Sequence, residues 1–314
     1  MIVVLTGGTG GAKLVQGIHQ SVAPGELTVI VNTGDDIEWW GLHVSPDVDS
    51  ILYALAGHLS VERGWGIDND SFRCLERMAH LGQPTWFSLG DLDLATHLAR
   101  SNLLRAGKSL SAATADLAKR LGIRARVLPM SDDRVATMLD TANGTLNFQQ
   151  YFVHERHQSD VRAVRFEGAE HAHPAAGVIE SIESADAIVL APSNPVTSIG
   201  PILAVPGVRE ALCRTAAPVA AVSPIVGGAA VSGPAGALMK RKGWPSTIAG
   251  VAQAYEDFLD LLVVDLEDHA DADHLREGGL HVVCANTIMK SLEDKKELAE
   301  FTLNATLQTR RAKI

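Results

Sequence analysis

Six times along the sequence, a short and mostly apolar run stops in a cluster of Gly, Asp, Asn or Ser. Met1–Leu5 runs into Thr6-Gly7-Gly8-Thr9-Gly10-Gly11, and Leu27–Val31 into Asn32-Thr33-Gly34-Asp35-Asp36. Arg124–Leu128 leads to Pro129-Met130-Ser131-Asp132-Asp133, and Ala187–Ala191 to Pro192-Ser193-Asn194-Pro195. Val219–Val222 ends at Ser223-Pro224, and His281–Cys284 at Ala285-Asn286-Thr287. Runs this short, without polar alternation, suit strands covered on both faces. Helical spacing fills several of the gaps, at Lys13–Val22, Ser109–Leu121 and Val251–Leu259. Strand alternating with helix predicts an α/β fold: a doubly wound, mainly parallel, Rossmann-like sheet. Ligands of such sheets sit beyond the carboxyl ends of the strands, which is where every polar cluster falls. The expectation is one α/β domain over residues 1–314, with a helical cap at about 47–120. Between Thr145 and Pro174, alternation at Phe148, Tyr151, Val153, Val161, Ala163, Val164 and Phe166 predicts a β-hairpin excursion, about 145–174.

Composition narrows the function. With 46% hydrophobic and 20% charged residues the 314-residue chain is not disordered as a whole. Its net charge of −10 leaves no general basic face, so nucleic acid is not an expected partner. Cys74, Cys213 and Cys284 lack metal or disulfide spacing, which fits a reducing cytoplasm. The apolar start Ile2–Leu5 is too short for a signal peptide. Thr215–Met239 carries no charge and is long enough to cross a bilayer. Pro218, Pro224 and Pro234, with Gly227, Gly228, Gly233 and Gly236, would break a lipid-exposed helix. The stretch therefore reads as a buried strand and a glycine-rich loop of a soluble protein. Gln308–Ile314 is basic and expected to fray.

The glycine cluster Gly7–Lys13 follows a strand and opens a helix, where bare backbone N–H groups and the helix N-terminus favour an anion. It is neither a dinucleotide fingerprint, since Lys13 stands where the third glycine belongs, nor a Walker loop. Carboxylates recur in pairs, at Asp35-Asp36, Asp47 and Asp49, Asp91 and Asp93, and Asp132-Asp133. One pair in an acidic chain is usually a turn or cap, and Asp47 doubles as a helix-start signal. Several at strand ends beside a phosphate loop suit Mg²⁺, which takes few protein ligands and shares phosphate oxygens. The proline-stiffened loop Pro192–Pro201 and the segment Ser232–Gly236 ahead of Lys240–Lys242 offer further phosphate or base contacts. His97 stands four residues after Asp93, which would orient its ring on a shared helix face. Trp39, Trp40, Trp65 and Trp86 either stack on a planar ring or pack the cap.

In order along residues 1–303, these stretches closely resemble the 2-phospho-L-lactate transferase family of coenzyme F-420 biosynthesis. The matching segments are Thr6–Lys13, Val31–Asp36, Pro46–Asp49, Trp65–Phe72, Leu89–Asn102, Leu128–Asp133, Ala191–Pro201, Val222–Pro224, Val231–Gly236 and Thr287–Asp294. The resemblance implies Mg²⁺-dependent transfer of a phospho-organic-acid group from a guanosine diphosphate-linked donor to a ribityl hydroxyl of the deazaflavin FO, with release of GMP. It implies Asp49 as a Mg²⁺ ligand or as the group that orients the attacking hydroxyl; Asp36, at the end of the second apolar run, is the further catalytic and metal-binding candidate. Substrate contacts are then expected from Gly8, Thr9, Gly10, Lys13, Asn32, Asp35, Asp47, Ser88, Asp91, Ser193, Asn194, Ser223, Ser232 and Gly233. Asp49→Asn is expected to remove most turnover and leave the fold intact. Leu92 stands where the family often has Arg, and Asn286 where an acidic residue is frequent. The donor acid is open among lactyl, enolpyruvyl and glyceryl. The alternative is a nucleotide-sugar-binding regulatory protein of the sister family, which would not need Asp49 or the Leu89–Asp93 segment. A nicotinamide dehydrogenase is more distant, because Lys13 spoils its fingerprint. A homodimer is expected, and no membrane partner.

Overall fold

The computed structural model describes residues 1–309. The chain enters through β1 (Ile2–Thr6) and α1 (Gly8–Ser21), then β2 (Leu27–Val31) and a small hairpin, β3 (Ile37–Trp39) with β4 (Leu42–Val44). Four helices follow: α2 (Pro46–Ala56), α3 (Arg73–His80), α4 (Asp91–Arg105) and α5 (Leu110–Arg120). After β5 (Arg126–Pro129) come β6 (Ala136–Thr141), β7 (Gly144–Asn147), β8 (Val161–Glu167) and α6 (Val178–Glu183). Then come β9 (Ala187–Leu190), α7 (Ile199–Ala204), α8 (Val208–Arg214), β10 (Val219–Val222) and the short hairpin β11 (Ile225–Val226) and β12 (Ala229–Ala230). Next are α9 (Ala235–Arg241), α10 (Ile248–Ala254), β13 (Leu261–Asp265), α11 (His269–Glu277), β14 (His281–Ala285) and α12 (Leu292–Gln308). The basic end expected to fray lies, from residue 310 onward, outside the described residues.

Seven strands form one sheet in the order β14-β13-β10-β9-β1-β2-β5, with every pair parallel. Burial on both faces follows from the strand sequences. In β1, Val3 and Leu5 enter the core on one face while Ile2 and Val4 enter the core on the other. Leu14, Ile18, Ile51, Leu52, Leu117 and Leu298 of α1, α2, α5 and α12 fill the second core, and α6–α10 cover the first. Fully burying one such aliphatic side chain contributes roughly 1.5–3 kcal/mol, so the two cores outweigh any local propensity. From β1 the strand order runs one way to β2 and β5 and the other way to β9, β10, β13 and β14. The sheet therefore reverses between β1 and β9, and the loops after these two strands lie at the point where sheets of this kind bind ligands.

Three expectations shift. The strand Leu261–Asp265 is a seventh apolar run, hidden in the sequence because it abuts the helical pattern read as Val251–Leu259; that helix is Ile248–Ala254. The excursion is a three-stranded antiparallel sheet, β7-β6-β8, and begins at Ala136 rather than about 145. Within it, Phe148–Val153 does not form a strand: Gln150–His154 is a short π-helix, so the alternation there was accidental. The expected cap also divides. Its first and last helices, α2 and α5, lie on the sheet, which leaves α3, α4 and the Trp39–Val44–Leu89 cluster outside it. Thr215–Met239 folds as β10, the hairpin and the start of α9; no helix among the described residues is long and apolar enough to cross a membrane.

Candidate active site

The β1-to-α1 turn is tight for packing reasons. Gly8 has φ +71°, a region in which a side chain is strained. A Cβ on Gly10 would stand 2.7 Å from the Pro192 carbonyl oxygen, and one on Gly11 1.9 Å from Thr6 Oγ1. The glycines thus let α1 start against the β9 loop. Ser193 braces this contact: its hydroxyl donates to the Gly7 carbonyl at 2.7 Å and accepts from the Gly7 N–H at 3.3 Å. Asn194 Oδ1 folds back on the Val196 N–H at 2.9 Å. Thr9 is exposed, and Gly8, Gly10 and Lys13 are half-buried.

Asn32, fully buried at the end of β2, ties the crevice together. Its amide nitrogen donates to Asp47 Oδ2 at 2.9 Å, Asp35 Oδ2 at 3.1 Å and the Thr197 carbonyl at 3.3 Å. Asp47 reaches the site because Pro46 starts α2 and places Asp47 and Asp49 in its first turn, where the helix dipole favours carboxylates. Two residues apart on a helix, they point in directions roughly 200° different. Asp47 therefore faces the glycine turn, where Oδ1 accepts the Gly8 N–H at 2.8 Å. Asp49 faces α4, and both its oxygens accept from the buried Arg100: Nη1 bonds Oδ2 at 3.0 Å and Nη2 bonds Oδ1. Asp36 accepts from Ser45 Oγ at 2.6 Å and contacts His43 Nε2 at 2.9 Å.

Four carboxylates, Asp35, Asp36, Asp47 and Asp49, thus converge with one permanent cation, Arg100, among them. Burial pushes Asp47 up to about 6, against the pull of its Asn32 and Gly8 bonds. Burial also raises Asp35 well above the usual range, with the Asp47 charge adding to the effect, and raises Asp36 against the pull of His43. Asp35 Oδ1 and Asp36 Oδ1 are buried without a well-formed hydrogen bond; the Thr137 hydroxyl lies beside Asp35 without completing one. Orphaned carboxylate oxygens in an excess of buried negative charge fit a hard cation. No ready-made group of three or more ligating side chains occurs among the described residues. Two protein oxygens with the rest from substrate and water suit Mg²⁺. The free oxygens belong to Asp35 and Asp36, whereas both of Asp49's are held by Arg100.

Other expected contacts lie apart. Asp91 caps α3, accepting from Cys74 N at 2.9 Å and Ser71 Oγ at 2.6 Å, bonds that lower its carboxyl below the usual range. Asp132 holds Ser111, and Asp133 holds His173. Ser223 Oγ closes its own turn on the Ile225 carbonyl at 2.9 Å. Ser232 and Gly233 are exposed, Gly233 beside Phe152, and Ser88 is half-buried ahead of α4. Trp39, Trp40 and Trp86 pack on one another, with Trp39–Trp86 centroids 4.7 Å apart, while Trp65 lies under Arg63. Leu92 is exposed, and Asn286 Oδ1 turns back on the Ile288 N–H at 3.1 Å. Sequence reasoning missed Arg100 and His43. Only the polar spacing of Asp93, His97, Arg100 and Ser101 along a helix carried a signal for the first.

A glycine turn meeting buried carboxylates at the switch point is a feature that can be set beside known proteins. The family model for 2-phospho-L-lactate transferase CofD matches residues 2–297. The chain belongs to the CofD family. It is 44% identical to the 2-phospho-L-lactate transferase of Methanosarcina mazei, over 97% of this chain and 100% of that one. It is 42% identical to the phosphoenolpyruvate transferase of Streptomyces griseus, over 98% and 99% of the two chains. The fold of a UPF0052-family protein from Bacillus halodurans superposes with a TM-score of 0.64 at 17% identity, over 96% of this chain and 98% of that one. As a CofD-family member the chain is a transferase, with the α/β architecture of its structural neighbour.

Proposed function

We propose that the chain moves a 2-phospho-L-lactyl group, or a close analogue, from a guanosine diphosphate-linked donor to FO, releasing GMP, in coenzyme F-420 biosynthesis. The observation that carries this reading is the meeting of the Gly8 turn with orphaned carboxylate oxygens at the switch point of a CofD-family sheet. The donor diphosphate lies at the start of α1, where it competes with Asp47 for the Gly8 N–H, and Lys13 supplies charge from the next turn. Ser193 keeps the turn in place and Asn194 offers its amide. Asp35 and Asp36 are the residues to hold Mg²⁺, which when bound neutralises charge on the phosphoryl oxygens. Asp49, whose two oxygens Arg100 holds, is the residue to orient the attacking hydroxyl through their remaining lone pairs. An O–P bond forms from that hydroxyl, the anhydride O–P bond to GMP breaks, and the hydroxyl proton leaves to a carboxylate of the cluster.

The test is GMP release with FO, Mg²⁺ and each of the lactyl, enolpyruvyl and glyceryl donors, followed by chromatography of the fluorescent deazaflavin. Release coupled to a new phosphorylated deazaflavin with one donor is the expected result. Tight nucleotide binding with no release from any donor would move the assignment to a regulatory protein. Lys13→Ala should weaken guanosine diphosphate binding by about tenfold or more, the scale of one charge-assisted hydrogen bond, and leave FO binding unchanged. If FO binding suffers more than nucleotide binding, the donor does not lie on α1.

A further inference from the structure

The four buried residues of α4 are Asp93, His97, Arg100 and Ser101, so every fully buried position of this helix is polar, and its leucines are at most half-buried. A helix placed for stability buries leucines on that stripe; burying charge instead carries a desolvation penalty that packing does not recover. The stripe is wired to the carboxylate cluster at several points. Arg100, 0% exposed, grips both oxygens of Asp49. His97 Nδ1 lies 3.4 Å from Asp49 Oδ2 and also 3.4 Å from Arg100 Nη1. His97 Nε2 lies 3.4 Å from Asp93 Oδ1, which accepts the Tyr53 hydroxyl of α2 at 2.6 Å. Ser101 Oγ accepts the His43 N–H at 2.8 Å, and His43 contacts Asp36. Asp70 fixes the start of the helix, accepting the Leu92 and Asp93 N–H groups at 2.8 and 3.0 Å.

Resting on the transfer reading above, we propose that α4 is a positioning element, in which Arg100 sets the orientation of Asp49 toward the acceptor and His97 and Asp93 hold Arg100 in register. The planar guanidinium can fix a carboxylate in two directions at once, which an ammonium cannot. Arg100 touches Asp49 and not the reacting atoms, so its effect reaches the reaction through Asp49.

Two variants separate positioning from structure. Arg100→Lys keeps the charge and loses the fork; in the folded protein kcat should fall about tenfold or more while the KM for the guanosine diphosphate donor stays within about threefold. Asp49→Leu/Arg100→Met removes the pair together, and the ligand-free protein should melt above Arg100→Met alone, which leaves Asp49 buried without its cation. A folded Arg100→Lys protein with wild-type kcat would overturn the proposal. So would a double variant melting no higher than Arg100→Met alone, since Arg100 would then act on the fold through groups other than Asp49. Failure of the wild-type protein to transfer to FO is a separate outcome that rejects the parent reading and leaves the melting comparison standing.

Discussion

Asp49→Asn should lower kcat by about two to three orders of magnitude, the scale of losing one preorganised charged group at a reacting centre. The substitution keeps the shape of the side chain and removes its charge, so the acceptor hydroxyl loses its orienting carboxylate while donor contacts at Gly8 and Lys13 persist. The sequence alone suggested that this variant folds like the parent. The structure revises that expectation, because the neutral amide would leave the fully buried Arg100 without its compensating charge. Stripping one partner from a buried pair costs about 3–5 kcal/mol, softened here by the nearby charges of Asp36 and Asp93, both of which interact with Arg100. A lowered melting temperature is therefore expected, and activity has to be read per folded molecule, well below that temperature. Asp49→Leu/Arg100→Met should melt above Arg100→Met alone and recover none of the turnover. Wild-type turnover by folded Asp49→Asn protein would remove Asp49 from the mechanism.

The parallel sheet was legible because fully buried strands advertise themselves as unbroken Val and Ile runs. β13 escaped for a related reason: its run begins just after an apolar helical segment ends, and no Gly or Pro separates them at Leu259-Asp260. The glycine turn was legible as a turn, but its chemistry was only half visible. Gly10 and Gly11 are needed for the approach of α1 to Pro192 and Thr6, which no phosphate argument predicts. Asp47 was ambiguous between cap and ligand, and the structure shows why. It sits in the first turn of α2 and caps a neighbouring helix start, that of α1, by accepting the Gly8 N–H. Asp91 reads like a site residue for the opposite reason: its partners Ser71 and Cys74 are 20 and 17 residues upstream, at a distance local patterns do not reveal. The polar face of α4 was written in the spacing of Asp93, His97, Arg100 and Ser101. Only the fold shows that this face turns inward onto Asp49.

The apo protein should lose stability as pH rises from about 4 to about 6, through the ionisation of Asp47. Burial holds its folded-state carboxyl at about 6, against an ordinary value of 3.8. Between those values the folded state keeps a proton that the unfolded state has released, so stability falls with rising pH and the full penalty is present above about 6. A difference of roughly two units corresponds to about 3 kcal/mol. Other carboxylates, among them Asp93 and Asp265, have lowered values and work in the opposite direction at lower pH, so the measurement is the difference between wild type and Asp47→Asn. Asparagine offers one acceptor where Asp47 serves both Gly8 and Asn32, which adds an offset independent of pH. The slope is the signal: the variant should gain on wild type from about pH 4 to about pH 6 in urea titrations and hold that gain above it. Removing the Asp47 charge also relieves Asp35, whose carboxyl that charge helps to raise, and this steepens the gain. Saturating Mg²⁺ or Mn²⁺ should flatten the slope, since a bound cation supplies the charge that the buried cluster lacks. A difference that stays constant with pH in the absence of metal would reject burial of an ionised Asp47 as the reason this cluster calls for a cation.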